Sequence, residues 1–227
     1  MQEDEKKKVE SIGNIVESII KKVEIVGKRV ESVGKREEKH EDDSQENSKL
    51  KYLFVYNIIL KMNGFHLFPQ AINASFEKQI INIIETDYRF MRYLKTGKIF
   101  YQMSPEDYPV EWIELLRIIR DLHESCKDFD YSLQLKYDPG VSFSAHYDSK
   151  KRWDEYIVGV NLNSEAELYF TKKDTKTVSI IIPPRSIYVL SGESRYEWRH
   201  GIKKVKDTRY SITFRKKTEF EKKRDKE

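Results

Sequence analysis

From residue 131 onward the chain is a succession of short segments that alternate apolar and polar residues. YSLQLKY, VSFSAHYD, DEYIVGVNL, AELYFTK, TVSIIIP, RSIYVLSG, EWRHGI and RYSITFR follow one another, each of strand length. Repeated short strands at this spacing predict a sandwich or a barrel. Asp138-Pro139-Gly140 predicts a turn between the first two, and Pro183-Pro184 precedes a strand, where the missing N–H groups do little harm. Upstream, FHLFP at 65–69 reads as one short strand. Residues 74–86 put Phe76, Ile80, Ile83 and Ile84 on one helical face, and residues 109–126 repeat Trp112, Leu115, Leu116, Ile119 and Leu122 at helical spacing. The fold class expected is α+β, mainly β, with helices flanking the strands on their N-terminal side.

Within this frame three residues carry chemistry. His146-Tyr147-Asp148 suits a strand end, because period-2 geometry sends residues 146 and 148 to one face and Tyr147 to the other. His200 arrives from a later strand. Two histidines and one carboxylate leave half of an octahedral iron open, which a cosubstrate and dioxygen require. Arg209 and Arg215, six apart in an alternating strand, also share a face. Their planar forks match carboxylates bidentately, so that face suits a dicarboxylate. With the triad at its mouth, the economical architecture is a double-stranded β-helix (jelly roll).

The motifs YxPGxxxxxHxD (137–148), GESRYxWxHGI (192–202) and RxSxTxR (209–215) resemble the AlkB branch of the Fe(II)- and 2-oxoglutarate-dependent dioxygenases. They look most like the AlkB homologues that act on transfer RNA in eukaryotes, over roughly residues 60–217. The resemblance implies Fe(II) on His146, Asp148 and His200, with dioxygen as co-reactant. It implies 2-oxoglutarate held by Tyr137, Arg209, Ser211, Thr213 and Arg215. Position 135 is Leu, where many AlkB enzymes carry an Asn that helps hold the cosubstrate. The implied activity is oxidative demethylation or hydroxylation of alkylated nucleobases, in RNA before single-stranded DNA. The alternatives are the same chemistry on a protein substrate, or a non-catalytic oligomeric scaffold. In the family, the region before the iron strand forms a nucleotide-recognition lid. Residues 88–104 interleave aromatic and basic side chains, which suits stacking on unpaired bases and phosphate neutralisation. Candidate substrate contacts are therefore Arg89, Tyr93 and Tyr101, with Trp153 and Asp154 after the iron strand, and Arg195 and Trp198 before His200.

Residues 9–36 align as four sevens, VESIGNI, VESIIKK, VEIVGKR and VESVGKR, with apolar positions three and four apart. That seam predicts a heptad arm that oligomerises as a coiled coil, meets a partner or membrane surface as an amphipathic helix, or stays disordered; Gly13, Gly27 and Gly34 each cost about 1 kcal/mol in a helix. Residues 37–49 read as a charged linker, 50–217 as the catalytic domain and 218–227 as a charged tail. Residues 1–49 hold 11 Lys/Arg against 13 Asp/Glu, so the net charge of +4 comes from the rest of the chain, a mild basic excess compatible with nucleic acid. The single Cys126, the absence of an apolar run of transmembrane length and the charged N-terminus point to an intracellular protein, cytoplasmic or nuclear. Deleting residues 1–48 is expected to leave turnover on a short oligonucleotide nearly unchanged while altering the mass measured by sedimentation.

Overall fold

The computed structural model describes residues 62–87, 93–94, 98–175 and 177–225. The heptad arm, the linker and Arg89 lie outside the described residues. In chain order the elements are β1 (Phe65–Phe68), α1 (Ala74–Thr86), β2 (Tyr93–Leu94), β3 (Lys98–Met103), α2 (Val110–Leu122), β4 (Tyr131–Tyr137) and β5 (Phe143–His146). Then come β6 (Trp153–Leu162), β7 (Ala166–Thr171), β8 (Val178–Ile182), β9 (Ser186–Leu190), α3 (Gly192–Tyr196), β10 (Arg199–Ile202), β11 (Arg209–Lys217) and α4 (Glu219–Arg224). Every strand pairing is antiparallel. The large sheet runs β1-β9-β6-β11-β4-β3-β2 and the small one β5-β10-β7-β8. Strands β4 to β11 cross repeatedly from one sheet to the other, in agreement with the expected double-stranded β-helix.

Two apolar clusters hold these layers. On the outer face of the large sheet, Val158, Val160 and Leu162 of β6, Ile187 and Val189 of β9, and Ile212 and Phe214 of β11 pack against α1 and α2 through Ile80, Trp112, Leu115 and Ile119. On the inner face, Tyr131, Leu135, Ile157, Tyr188 and Leu190 meet Leu168, Phe170 and Ile180 of the small sheet. β11 is therefore buried on both sides: Tyr210, Ile212 and Phe214 belong to the helix side, and the alternate residues Arg209, Ser211, Thr213 and Arg215 line the interior between the sheets.

Two elements differ from the sequence reading. The second helix stops at Leu122, not near residue 126: His123 turns extended, and the Cys126 N–H bonds the His123 carbonyl in a turn that carries the thiol into the core. The segment past Lys217, expected as a charged tail, begins with a helix. Thr218 caps it by accepting from the Glu221 N–H at 3.2 Å. Glu221 is buried and accepts from Arg152 at 2.8 Å and Arg224 at 2.5 Å. Thr218 also bonds the carbonyls of Lys151 and Arg152. A charged sequence thus becomes ordered because its one buried carboxylate is paired.

Burial pushes the Cys126 thiol up to about 12, so it carries almost no thiolate near neutrality. Native protein at pH 8 is expected to resist a thiol-specific disulfide reagent for hours and to react within minutes in denaturant, followed by absorbance.

Candidate active site

Register places the two histidines. His200 on β10 lies directly opposite His146 on β5, and the imidazole centroids are 4.6 Å apart. Asp148 follows in the loop after β5. The candidate ligand atoms of these three residues lie within 4.8 Å of one another. His146 Nδ1 is turned to the Ser144 carbonyl at 3.1 Å, which leaves Nε2 with its lone pair directed elsewhere. Burial, and then the neighbouring His200, hold the His146 imidazole below its usual range.

Asp148 is held from two directions. Arg215 places Nε at 2.9 Å and Nη2 at 2.8 Å on the same oxygen, Oδ1. Oδ2 has no hydrogen-bond partner among the described residues and lies 3.4 Å from His200 Nε2. Burial by itself would raise this carboxyl. The opposing Arg215 charge, then His200, then His146, hold it well below the usual carboxylate range. One free carboxylate oxygen beside two imidazoles, all within reach of one ion, is a donor set that fits Fe(II).

Behind the triad a half-open cleft runs along the inner face of the large sheet. Arg209, Ser211, Thr213, Arg215 and Tyr137 all line it, so the expected cosubstrate residues are brought together. The Arg209 guanidinium stacks on the Tyr137 ring at 4.8 Å, directly across from it in the β4–β11 pairing. Burial raises the Tyr137 phenol's ionisation, and the Arg209 charge partly offsets this.

The sequence reading missed Asn161. It is fully buried on β6; its Oδ1 accepts from Arg209 Nε at 2.6 Å, and its Nδ2 donates to the carbonyls of Ser164, Ile182 and Pro183. Asn161 thus fixes the Arg209 fork from behind. The available signal was a polar residue in the inward phase of an otherwise apolar strand.

The expected substrate contacts do not assemble as a group. Tyr101 packs on the helix-side cluster, away from the triad, because its strand phase matches that of Gln134. Trp153 is buried against Tyr131, with ring centroids 4.4 Å apart, and lies under the Arg152 and Arg215 guanidiniums. Arg195 is 1% exposed and donates to the carbonyls of Asp148, Trp153 and Asp154. It shapes the ligand loop instead of meeting a substrate. Trp198 is half-buried and donates from Nε1 to Glu193 at 3.1 Å. Asp154 is exposed and caps the Glu155 N–H. Tyr93 lies in β2.

Because the Asp148 carboxyl is depressed, its contribution to stability is present above its unfolded value of about 3.9 and is lost as pH falls through the folded value. Arg215→Met removes the charge that opposes burial. The metal-free variant is expected to unfold in acid at a higher pH than wild type by circular dichroism. Mn(II) affinity at pH 7 should fall about tenfold or more by titration calorimetry, since a proton then competes for the carboxylate.

Residues 85–217 match the sequence profile of the 2OG-Fe(II) oxygenase superfamily. The chain is 28% identical over 179 residues to the uncharacterized protein L905 of Acanthamoeba polyphaga mimivirus, covering 68% of this chain and 85% of that protein. A stretch of 67 residues is 40% identical to the tRNA (carboxymethyluridine(34)-5-O)-methyltransferase ALKBH8 of Macaca fascicularis, which is 30% of this chain but 10% of that enzyme. Among solved structures, OsALKBH1 superposes with a TM-score of 0.55 at 14% identity, over 67% of this chain and 98% of its own. A Trichoplax adhaerens prolyl hydroxylase, solved with a hypoxia inducible factor peptide, superposes with a TM-score of 0.57 at 18% identity, over 82% and 96%. At these identities the two structures bear on the fold alone.

Proposed function

The chain belongs to the 2OG-Fe(II) oxygenase superfamily, and from that premise we propose that this AlkB-like dioxygenase acts on alkylated nucleobases of single strands, RNA before DNA. The observation that carries the reading is the 40% identity over 67 residues to an enzyme whose name places it on tRNA. The surface beside the ligands supports it. Lys150 and Lys151 are exposed two and three residues past Asp148, and Arg199 is exposed next to His200. Cations there suit the phosphates flanking a base presented to the metal. Tyr147, 46% exposed between two ligands, offers a ring face to an unpaired base.

Fe(II), when bound with 2-oxoglutarate and dioxygen, supplies the oxidising power for C–H hydroxylation, the oxoacid leaving as succinate and carbon dioxide. The protein's part is to bind, orient and keep water out. His146, Asp148 and His200 would hold the metal. Arg215 binds one oxygen of Asp148 and leaves the other free, which favours a single coordinating oxygen. Arg209, held by Asn161 and stacked on Tyr137, presents charge to a carboxylate at the far end of the cleft. Leu133, Leu135, Ile157 and Leu190 make the walls between, and their lack of polar groups keeps the cleft dry. Hydroxylation of an N-methyl group would give a hemiaminal that loses formaldehyde, so demethylation needs no general acid or base from the chain.

Nucleoside mass spectrometry tests the substrate. The full chain with Fe(II), ascorbate and 2-oxoglutarate is incubated with methylated single-stranded RNA, methylated DNA and whole tRNA, beside His146→Ala. The expected result is loss of a methylated nucleoside, or gain of a hydroxylated one, in wild type only. Succinate formation with every nucleoside unchanged would move the search to protein substrates.

A further inference from the structure

Leu133, Thr213, Gly159 and Tyr188 form one cross-strand row on the inner face of the large sheet. Gly159 leaves a gap in that row, and Tyr188 fills it. A Cβ at Gly159 would collide with the Tyr188 ring carbon Cζ and with its hydroxyl. The phenol therefore lies across β6 and reaches the cosubstrate cleft, which it lines together with Arg209 and Thr213. An inward tyrosine ordinarily finds a partner for its hydroxyl. Here the residue is 8% exposed, yet its hydroxyl makes no hydrogen bond among the described residues.

A second donor lines the same cleft. Arg209 Nη1 is buried without a hydrogen-bond partner among the described residues, although Nε of the same guanidinium is bound to Asn161. Tyr188 and Arg209 both line the cleft, and the guanidinium charge partly offsets the effect of burial on the phenol. Burial pushes the phenol's ionisation up, so the hydroxyl keeps its proton and is a donor. Two donors that line one cleft, one of them buried without a partner among the described residues, suit an anionic acceptor between them. Along β11, Arg215 marks the metal end through Asp148, and Arg209 lies six residues away.

We propose that the Tyr188 hydroxyl binds 2-oxoglutarate, donating a hydrogen bond to the carboxylate remote from the metal beside Arg209, and that Gly159 exists in β6 to let it through. The proposal rests on the cosubstrate that superfamily membership gives, and is independent of the nucleic-acid reading. Of the β4 side chains beside the cleft, Leu133 and Leu135 have no polar group to offer that carboxylate, and the ring of Tyr137 is stacked on Arg209.

The test uses the full chain loaded with Mn(II) and no nucleic acid. Titration of 2-oxoglutarate into Tyr188→Phe, which keeps the ring, is expected to show a dissociation constant about tenfold or more above wild type. Oxalate, which chelates the metal but has no remote carboxylate, should bind both proteins alike, as should Mn(II) itself. Gly159→Ala should weaken 2-oxoglutarate in wild type and do so far less in a Tyr188→Ala background, since the atoms nearest the added methyl group all belong to the tyrosine. An unchanged 2-oxoglutarate constant in Tyr188→Phe overturns the proposal. Equal weakening of 2-oxoglutarate and oxalate overturns it too, because the phenol would then be only a packing group.

Discussion

The site depends on a buried ion pair that uses only half of a carboxylate. Taking Asp148 and Arg215 out of water costs several kcal/mol per ion, an amount their attraction offsets only with close geometry and satisfied hydrogen bonds. Arg215 meets the first condition with two nitrogens on one oxygen, and it lies over the Trp153 ring at 5.5 Å and the Tyr131 ring at 6.0 Å. The second condition is left incomplete at Asp148 Oδ2. An unsatisfied buried carboxylate oxygen is destabilising in a structural ion pair. At a metal site it is the free ligand atom.

The surroundings make that arrangement rigid. Asp148 lies in a loop, and loops are where precise placement is hardest to hold. Arg195 ties the loop's carbonyls together from the side of α3, and α4 ties its far end through Thr218 and the Arg152–Glu221 pair. Neither Arg195 nor Glu221 faces the cleft. Both are buried charges: Arg195 donates to carbonyls of residues 148–154, and Glu221 pairs with Arg152 from that segment as well as with Arg224 of its own helix. The loop is thus supported at both ends by interactions that a reduced β-sandwich would lack, and the C-terminal helix is part of the catalytic unit.

What was legible in the sequence follows from the range of the interactions involved. His146 and Asp148 declare themselves by a two-residue spacing, and Arg209 and Arg215 by strand alternation, both local rules. The helix over 74–86 followed equally from its period. Side assignment beyond one strand was not legible. Trp153 and Arg195 are near Asp148 in the fold, as expected, but on its supporting side, because sequence proximity does not say which face of a loop a side chain takes. Tyr101 fell to the helix side by the phase of β3, fixed by pairing with a strand thirty residues on. Asn161 and Tyr188 act only through cross-strand neighbours, β11 for the first and Gly159 for the second. The order of α4 requires Arg152, far from it in sequence.

The interior rows also divide the work among strands. β5 and β10 bring the two histidines, and β11 brings both arginines on one face. β6 contributes little that would itself touch a ligand: a glycine that makes room and an asparagine that orients Arg209. β4 supplies an aromatic at each end, Tyr131 beside Arg215 and Tyr137 beside Arg209, with two leucines between. Each arginine is consequently backed by a ring that shields it from water. The two polar ends lie in a cleft with apolar walls, at a separation set by six residues of one rigid strand. A flexible dicarboxylate has to adapt to that distance, since β11 is packed on both faces and cannot shift to adapt to the ligand.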